Sequence, residues 1–279
     1  MSREHIEFVQ AQVLPWEMGW AIRPAVECKV LSRDHKSGAA SAVLRYPAGW
    51  RAAGGFSLTV AEELFVLAGE LRMGDLCYQA GDYAYLTAGY AYTGLAAGAE
   101  GAVVLTFFSA EPEFGPLADA DPGHAIERLA THDMEWDGNV DPNVVGAGIG
   151  KKTLRVDPVA GDSTWILRIG PMDPLPDTVE TPLEKHPYVE EMYQLDGEIS
   201  TNVGVMRRGA YFWRPPRVSH GPIASRPGFM ALFRSHGGAR STEWSAKKYP
   251  VVWNAPYQPV LPGRLRERVL RAFDSSQLY

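Results

Sequence analysis

The sequence predicts an all-β protein: two tandem barrels of similar sequence, with one short helix near the end. Three observations predict it. Short apolar runs alternate with Gly and Pro, of which the chain holds 28 and 21. Long stretches of the chain fall on one another at a single register. Only one segment carries a convincing helical period.

The runs in the first half are "SAVLRYP" (41–47), "EELFVLAGEL" (62–71), "DYAYLTAG" (82–89) and "AVVLTFF" (102–108). Those in the second half are "STWILRIG" (163–170), "EEMYQLDGEI" (190–199), "AYFWRPP" (210–216) and "FMALFRS" (229–235). Short runs bounded by turn residues at near-regular intervals mark a sandwich or barrel of strands. The helix is "GRLRERVLRAF" (263–273), where Leu265, Val269 and Phe273 share one face.

The repeat places Glu62 on Glu190, an offset of 128 residues that aligns "AEELFVLAGEL" with "VEEMYQLDGEI". The same offset carries "GDYAYLTAGYAYTG" onto "GAYFWRPPRVSHGP" and "VVLTFF" onto "ALFRSH". Upstream, Arg45 falls on Arg168 at an offset of 123, so the second copy holds about five extra residues between these blocks. Two homologous β domains follow, residues 1–120 and 121–279, split within "EPEFGPLADADPGH", where Pro, Gly and acidic residues cluster. "VGAGIGKK" (145–152) lacks the Lys-Ser/Thr ending and the strand–loop–helix setting of a phosphate loop, and reads as a turn.

Of 279 residues, 46% are apolar and 22% charged, enough for a substantial core. The formal charge of −6 argues against nucleic acid or an anionic membrane as a partner. No apolar run approaches a membrane span, and "MSREHIEFVQ" lacks the apolar core of a secretory signal. Cys28 and Cys77 are too few and too far apart for a disulfide framework or a thiolate site. The expectation is a soluble, cytoplasmic protein acting on a small molecule. Two barrels in one chain can stand in for a dimer, so both a monomer and a homodimer are compatible.

The chemistry concentrates in "LEKHPYVEEMYQLDGE" (183–198) and the block that follows it. A divalent cation held without cysteine needs imidazole nitrogens and carboxylate oxygens from different strands. His186, Glu190 and His220 supply two imidazoles and a carboxylate, leaving positions open for water, dioxygen or substrate. Glu184, two residues before His186 on the same strand face, is a fourth ligand or a hydrogen-bonding support.

The first half is an internal control. At the 128 offset, Phe56 stands for Glu184, Leu58 for His186 and Tyr92 for His220; only Glu62 keeps its carboxylate. The first barrel is therefore expected to be metal-free. Polar and aromatic changes confined to the second copy nominate a pocket: Gln194 for Val66, Trp213 for Tyr85, Arg234 for Thr106 and His236 for Phe108. Strand parity adds Met192 to Gln194 on the Glu190 face and turns Glu191 toward the surface. Met192, Gln194, Trp213 and Arg234 are the substrate-binding candidates, with "PMDPLPDTVETP" (171–182) expected as a rim over the metal. Arg168, matched by Arg45, reads as structural.

The second half contains His186, three residues, Glu190, six residues, then Gly197; further on come Gly209, five residues, Pro215, and His220. These spacings resemble the two signature blocks of cupins, G(x)5HxH(x)3–4E(x)6G and G(x)5PxG(x)2H. Each half thus looks like a cupin domain, a double-stranded β-helix or jelly-roll barrel. The whole is similar to a bicupin, more narrowly to bacterial ChrR-like sensor-type and diketone-cleaving members. Two positions depart: Glu184 stands where the family has its first histidine, and Arg217 where it has the glycine of PxG. The resemblance implies a metal-dependent oxidoreductase, most concretely a dioxygenase that cleaves a C–C bond of a small enolizable or phenolic substrate. It implies one divalent ion per chain, Fe(II) favoured over Mn, Ni or Zn, with Glu184 as a ligand or as the base. A non-redox metal-dependent lyase or isomerase, or a small-molecule sensor, are the alternatives.

Overall fold

The computed structural model describes residues 3–117, 123–144, 146–269 and 272–279, and their regular structure is nearly all antiparallel strand. Two compact units emerge: Met1–Arg3 with Pro15–Met134, and Glu4–Leu14 with Glu135–Tyr279. The boundary expected at residue 120 lies outside the described residues. The two units meet along the chain at Met134 and Glu135, and the start of the chain divides between them.

In the first unit an eight-stranded sheet runs through Ile126–Ala130, Asp82–Leu86, Glu62–Met73, Ala96–Phe108, Ala40–Tyr46, Glu27–Arg33 and Glu17–Met18, with Leu76–Gln79 hairpinned onto Glu62–Met73. A small sheet of Phe114–Gly115, Phe56–Leu58 and Ala91–Tyr92 completes it. Alternation along the strands gathers Leu64, Val66, Ala84, Leu86 and Val104 into one buried core.

The second unit repeats this plan. Its main sheet runs Ile6–Gln10, Ala210–Arg214, Val189–Thr201, Phe229–His236, Ser163–Gly170 and Ala147–Val156, with Gly204–Arg207 hairpinned onto Val189–Thr201. Glu180–Lys185 and Glu243–Pro250 pair as a separate ribbon. The core here is Phe8, Trp165, Met192, Phe212, Ala231 and Phe233 with their neighbours.

Equivalent residues perform equivalent work in both units. Gly69 and Gly197 sit at φ +72° and +71°, and a Cβ on either would lie 2.2 or 2.1 Å from the carbonyl oxygen of Gly101 or Gly228. Both sit where the neighbouring strand shifts register, so only glycine fits. Lys29 and Arg45 lie over Trp16 at 4.7 and 4.2 Å; Lys152 and Arg168 lie over Trp136 at 4.3 and 4.1 Å. These cation–π stacks let basic side chains sit against the sheet, and they account for the Arg45–Arg168 match.

The repeat reaches further than the strands named from sequence. Ile126–Ala130 pairs with Asp82–Leu86 through Ile126 opposite Tyr85 and Leu129 opposite Tyr83. Ile6–Gln10 pairs with Ala210–Arg214 through Ile6 opposite Trp213 and Val9 opposite Tyr211. Trp213 and Tyr211 are the 128-offset counterparts of Tyr85 and Tyr83, so Ile6–Gln10 and Ile126–Ala130 are the same strand of the repeat. A three-residue 3-10 turn follows each, Ala11–Val13 and Thr131–Asp133. The edge strand of the second unit thus comes from the start of the chain.

The helix spans Gly263–Arg268 and buries Leu265. It is shorter than the 263–273 pattern implies; residues 270 and 271 lie outside the described set. In the "VGAGIGKK" segment, Ala147 onward is strand rather than turn. No described helix is long and apolar enough to cross a membrane.

Candidate metal centre

In the second unit the Glu180–Lys185 strand ends beside His220. Glu184 and His220 exchange backbone hydrogen bonds of 3.0 and 2.9 Å, which sets their side chains next to each other. The same pairing in the first unit joins Phe56 and Tyr92, whose rings stack at 4.9 Å and 5°. His186 follows Glu184, and its carbonyl accepts from the Arg217 N–H at 2.7 Å. Arg217 holds a left-handed φ of +67°, the turn that Gly89 makes at +82° in the first unit. The departure from PxG therefore keeps the backbone and strains the residue.

Donor atoms of Glu184, His186 and His220 lie within 4.8 Å of one another. His220 Nε2 is 3.2 Å from Glu184 Oε1 and 3.5 Å from Glu190 Oε2. His186 Nε2 is 3.4 Å from Glu190 Oε1 and 4.0 Å from Glu184 Oε2. Ligand atoms about 2.0–2.2 Å from a common cation stand roughly 3–3.5 Å apart, and three of these four imidazole–carboxylate separations fall in that range.

The residues fit a cation chemically as well. His186 Nδ1 donates to the Ser241 carbonyl at 3.1 Å, and His220 Nδ1 to the Val218 carbonyl at 3.1 Å. With the proton on Nδ1, each neutral ring turns a bare lone pair on Nε2 toward the carboxylates. Both Nε2 atoms are buried and make no hydrogen bond. Two orphaned acceptors facing two carboxylates are costly unless an ion lies between them.

Arg214 organises the other side. Its Nη1 donates to Glu190 Oε2 at 2.8 Å, while Nε and Nη2 grip Glu7 at 2.7 and 2.5 Å. Glu7 lies on the strand from the start of the chain. Burial opposes the charge on Glu190, but the Arg214 guanidinium that donates to it helps hold its carboxyl below the ordinary value. The same contest leaves Glu7 well below the usual carboxylate range, with Arg214 the main opposing cause. Sequence reasoning missed both residues. Arg214 replaces Leu86 at the 128 offset, so the comparison that nominated the other pocket residues also contains this one.

A cavity of about 360 Å³ opens beside these residues. Glu184, His186, Glu190 and Arg214 line it, while Trp165, Leu167, Ile199, Phe212, Phe229 and Phe233 supply apolar walls. Trp244 Nε1 donates to Asp141 Oδ2 at 3.0 Å in a solvent-exposed bond, and both residues border the cavity. The rim is thus built by the segments 140–144 and 240–244. The expected 171–182 loop contributes only Thr181 and Pro182 to the lining.

The substrate-binding candidates are placed elsewhere. Trp213 and Arg234 are both cross-strand partners of Glu191, one step from Glu190, and therefore face away from it. There Glu191, expected at the surface, is buried and accepts from Tyr211 and Arg234 at 2.6 Å each. His236 stands 3.3 Å from Glu191 and stacks on Trp213. Met192 and Gln194 do share the Glu190 face, but neither lines the cavity; Met192 packs in the apolar core, and Gln194 is fully buried.

The first unit has a different answer to its single carboxylate. Arg23 Nη1 and Nη2 donate to Glu62 at 2.7 and 2.5 Å, and the Tyr92 hydroxyl adds a bond of 2.8 Å. Glu62 is buried, and the guanidinium supplies the positive charge it faces.

Residues 18–241 match the family model described as a domain of unknown function, DUF4437. No curated protein matches the chain in sequence. Among solved structures, a candidate dioxygenase from Nostoc punctiforme is 20% identical with a TM-score of 0.74, covering 88% of this chain and 92% of its own. The Lactobacillus farciminis oxalate decarboxylase, solved with formate, is 13% identical with a TM-score of 0.54, covering 85% and 88%. The Bacillus subtilis oxalate decarboxylase, which contains Mn(II) centres, is 12% identical with a TM-score of 0.52, covering 85% and 79%. These likenesses support the cupin fold and carry nothing toward the narrower ChrR-like placement.

Proposed function

We propose that this chain, which belongs to the DUF4437 family, is a metal-dependent enzyme whose second unit holds one divalent cation on Glu184, His186 and His220, with Glu190 beside both imidazoles as a fourth ligand. The pair of buried, unpartnered Nε2 atoms is the observation that carries this reading. Arg214 occupies Glu190 Oε2, which leaves Oε1 as the ligand atom. When bound, the cation supplies Lewis acidity toward a substrate oxygen and, as Fe(II), electrons for dioxygen chemistry.

The reaction we favour is dioxygenase cleavage of a small enolizable or phenolic compound. Glu184 Oε1 points to His220 while Oε2 stays farther from His186, so Oε2 has the position to accept a substrate hydroxyl proton. The aromatic walls hold an apolar body and exclude water from it. A cavity this large and this apolar is a poor match for oxalate, a small dianion.

Elemental analysis of protein purified without added metal is the test. About one transition-metal ion per chain is expected, lost in His220→Ala. The Fe(II)-loaded protein is then expected to consume dioxygen with a member of a panel of β-diketones, catechols and hydroxyketones. A metal-free protein that refuses added Fe(II), Mn(II), Ni(II) and Zn(II) overturns the reading. The fold likeness to oxalate decarboxylase supports a second reading, a non-redox lyase or isomerase. Turnover under strict anaerobiosis would select it.

A further inference from the structure

Three cations line the cavity: Lys151, Arg214 and Arg240. Two are engaged. Arg214 is shared by Glu7 and Glu190, and Lys151 Nζ lies 3.5 Å from Asp137 and 3.4 Å from the Asn139 carbonyl. Arg240 has no hydrogen bond or ion pair through its side chain among the described residues. Its guanidinium lies 4.6 Å over the Trp165 ring, which in turn stacks on Phe233 at 5.4 Å and 11°. Asp137 acts on it without forming an ion pair and is already tied to Lys151.

A half-buried guanidinium stacked on an aromatic wall keeps its planar N–H edge available while losing part of its hydration. That edge matches a carboxylate through two parallel hydrogen bonds. We infer that Arg240 is a substrate-binding residue that receives the carboxylate of an amphipathic acid, whose aromatic or branched apolar body lies along Trp165, Phe212 and Phe233. This inference rests on the proposed site, because the oxygen function at the other end of such a molecule faces Glu184 and His186, which line the same cavity. Arg240 also adjoins Ser241, whose carbonyl fixes the His186 ring, so one loop carries both the anchor and the support of a ligand.

The test is calorimetric binding of matched pairs, aryl carboxylates against their primary amides, to the purified full chain. Wild type is expected to prefer the acid by about tenfold or more. Arg240→Gln is expected to remove that preference while leaving amide affinity, metal content and thermal midpoint unchanged; Arg240→Lys keeps part of it. The same measurement on His220→Ala separates this inference from the metal reading, since the acid preference is expected to survive there. Equal affinity of wild type for acid and amide overturns the inference. So does an acid preference that persists in Arg240→Gln or vanishes in His220→Ala, either of which assigns the anion to the metal end.

Discussion

Arg23 closes on Glu62 with a forked pair of hydrogen bonds, at a position where both halves of the chain keep the same buried carboxylate. In the second half Glu190 takes a single bond from Arg214 and also faces two imidazoles and a cavity; in the first, one guanidinium closes on both carboxylate oxygens. The two sites answer one physical demand, positive charge beside a buried carboxylate, in two ways.

Removing the guanidinium leaves that carboxylate unpaired in a dry interior. Arg23→Met is expected to destabilise the protein by about 3–5 kcal/mol, and adding Glu62→Gln to recover most of the loss. Urea denaturation of the two variants checks this. A single variant within 1 kcal/mol of wild type, on the order of a surface change, would sink it.

Glu7 acts on the candidate metal centre through Arg214. Glu7→Gln frees Arg214 to draw harder on Glu190 Oε2 and weakens the carboxylate as a ligand through its other oxygen. A drop in metal affinity of about 10–100-fold is expected, read by competition with a chelator of known affinity. Unchanged affinity would show that Arg214 serves packing alone.

Arg234 belongs to the Glu191 cluster on the far side of the sheet. Arg234→Ala is expected to cost about 1–3 kcal/mol by stranding a buried acid and to leave metal content and ligand binding unaltered. Lost binding with stability intact would return Arg234 to the pocket.

Arg217 carries a left-handed backbone that glycine adopts freely. Arg217→Gly is expected to raise stability by up to about 1 kcal/mol, seen as a higher urea midpoint at unchanged slope. A lower midpoint would mean that its exposed contact with Glu243 outweighs the strain.

Burial pushes the Cys28 thiol up to about 11. At pH 8 only about one molecule in a thousand then carries the thiolate, and native protein should resist alkylation at Cys28. Because the folded value lies above the unfolded one, stability from this group is whole below about pH 9 and falls as pH climbs toward 11. Peptide mapping after iodoacetamide treatment checks it, with rapid labelling at pH 8 as the contrary result.

The repeat was legible because strands that pack alike keep alike spacing, and it set the candidates His186, Glu190 and His220 against a copy that lacks both imidazoles. It also marked the first half as the one without those residue types. Facing was where it failed. A polar gain in one copy nominates Trp213 and Arg234 as readily as Arg214, and only the pleat separates them. Glu191 shows the difference: its neighbours in the sheet are those two side chains, so the three form a cluster of their own. Counting alternate positions from Glu190 places Glu191 on the other face, but not in the interior of that face. Glu7 and Arg23 lie outside the blocks that align at 128, and each reaches its carboxylate only through tertiary structure. The rim was misassigned because insertion length says nothing about which loop folds over a cavity.

The exchange of Ile6–Gln10 bears on how such a chain can be divided. A fragment cut at Met134 and Glu135 would carry the histidines yet lack the strand that brings Glu7 to Arg214. During synthesis that strand emerges some two hundred residues ahead of its partner, Ala210–Arg214. The second unit is therefore completed only when this segment has come home, and severing the repeats strips the second barrel of its edge strand and leaves that strand, without its partner, on the fragment that holds the first.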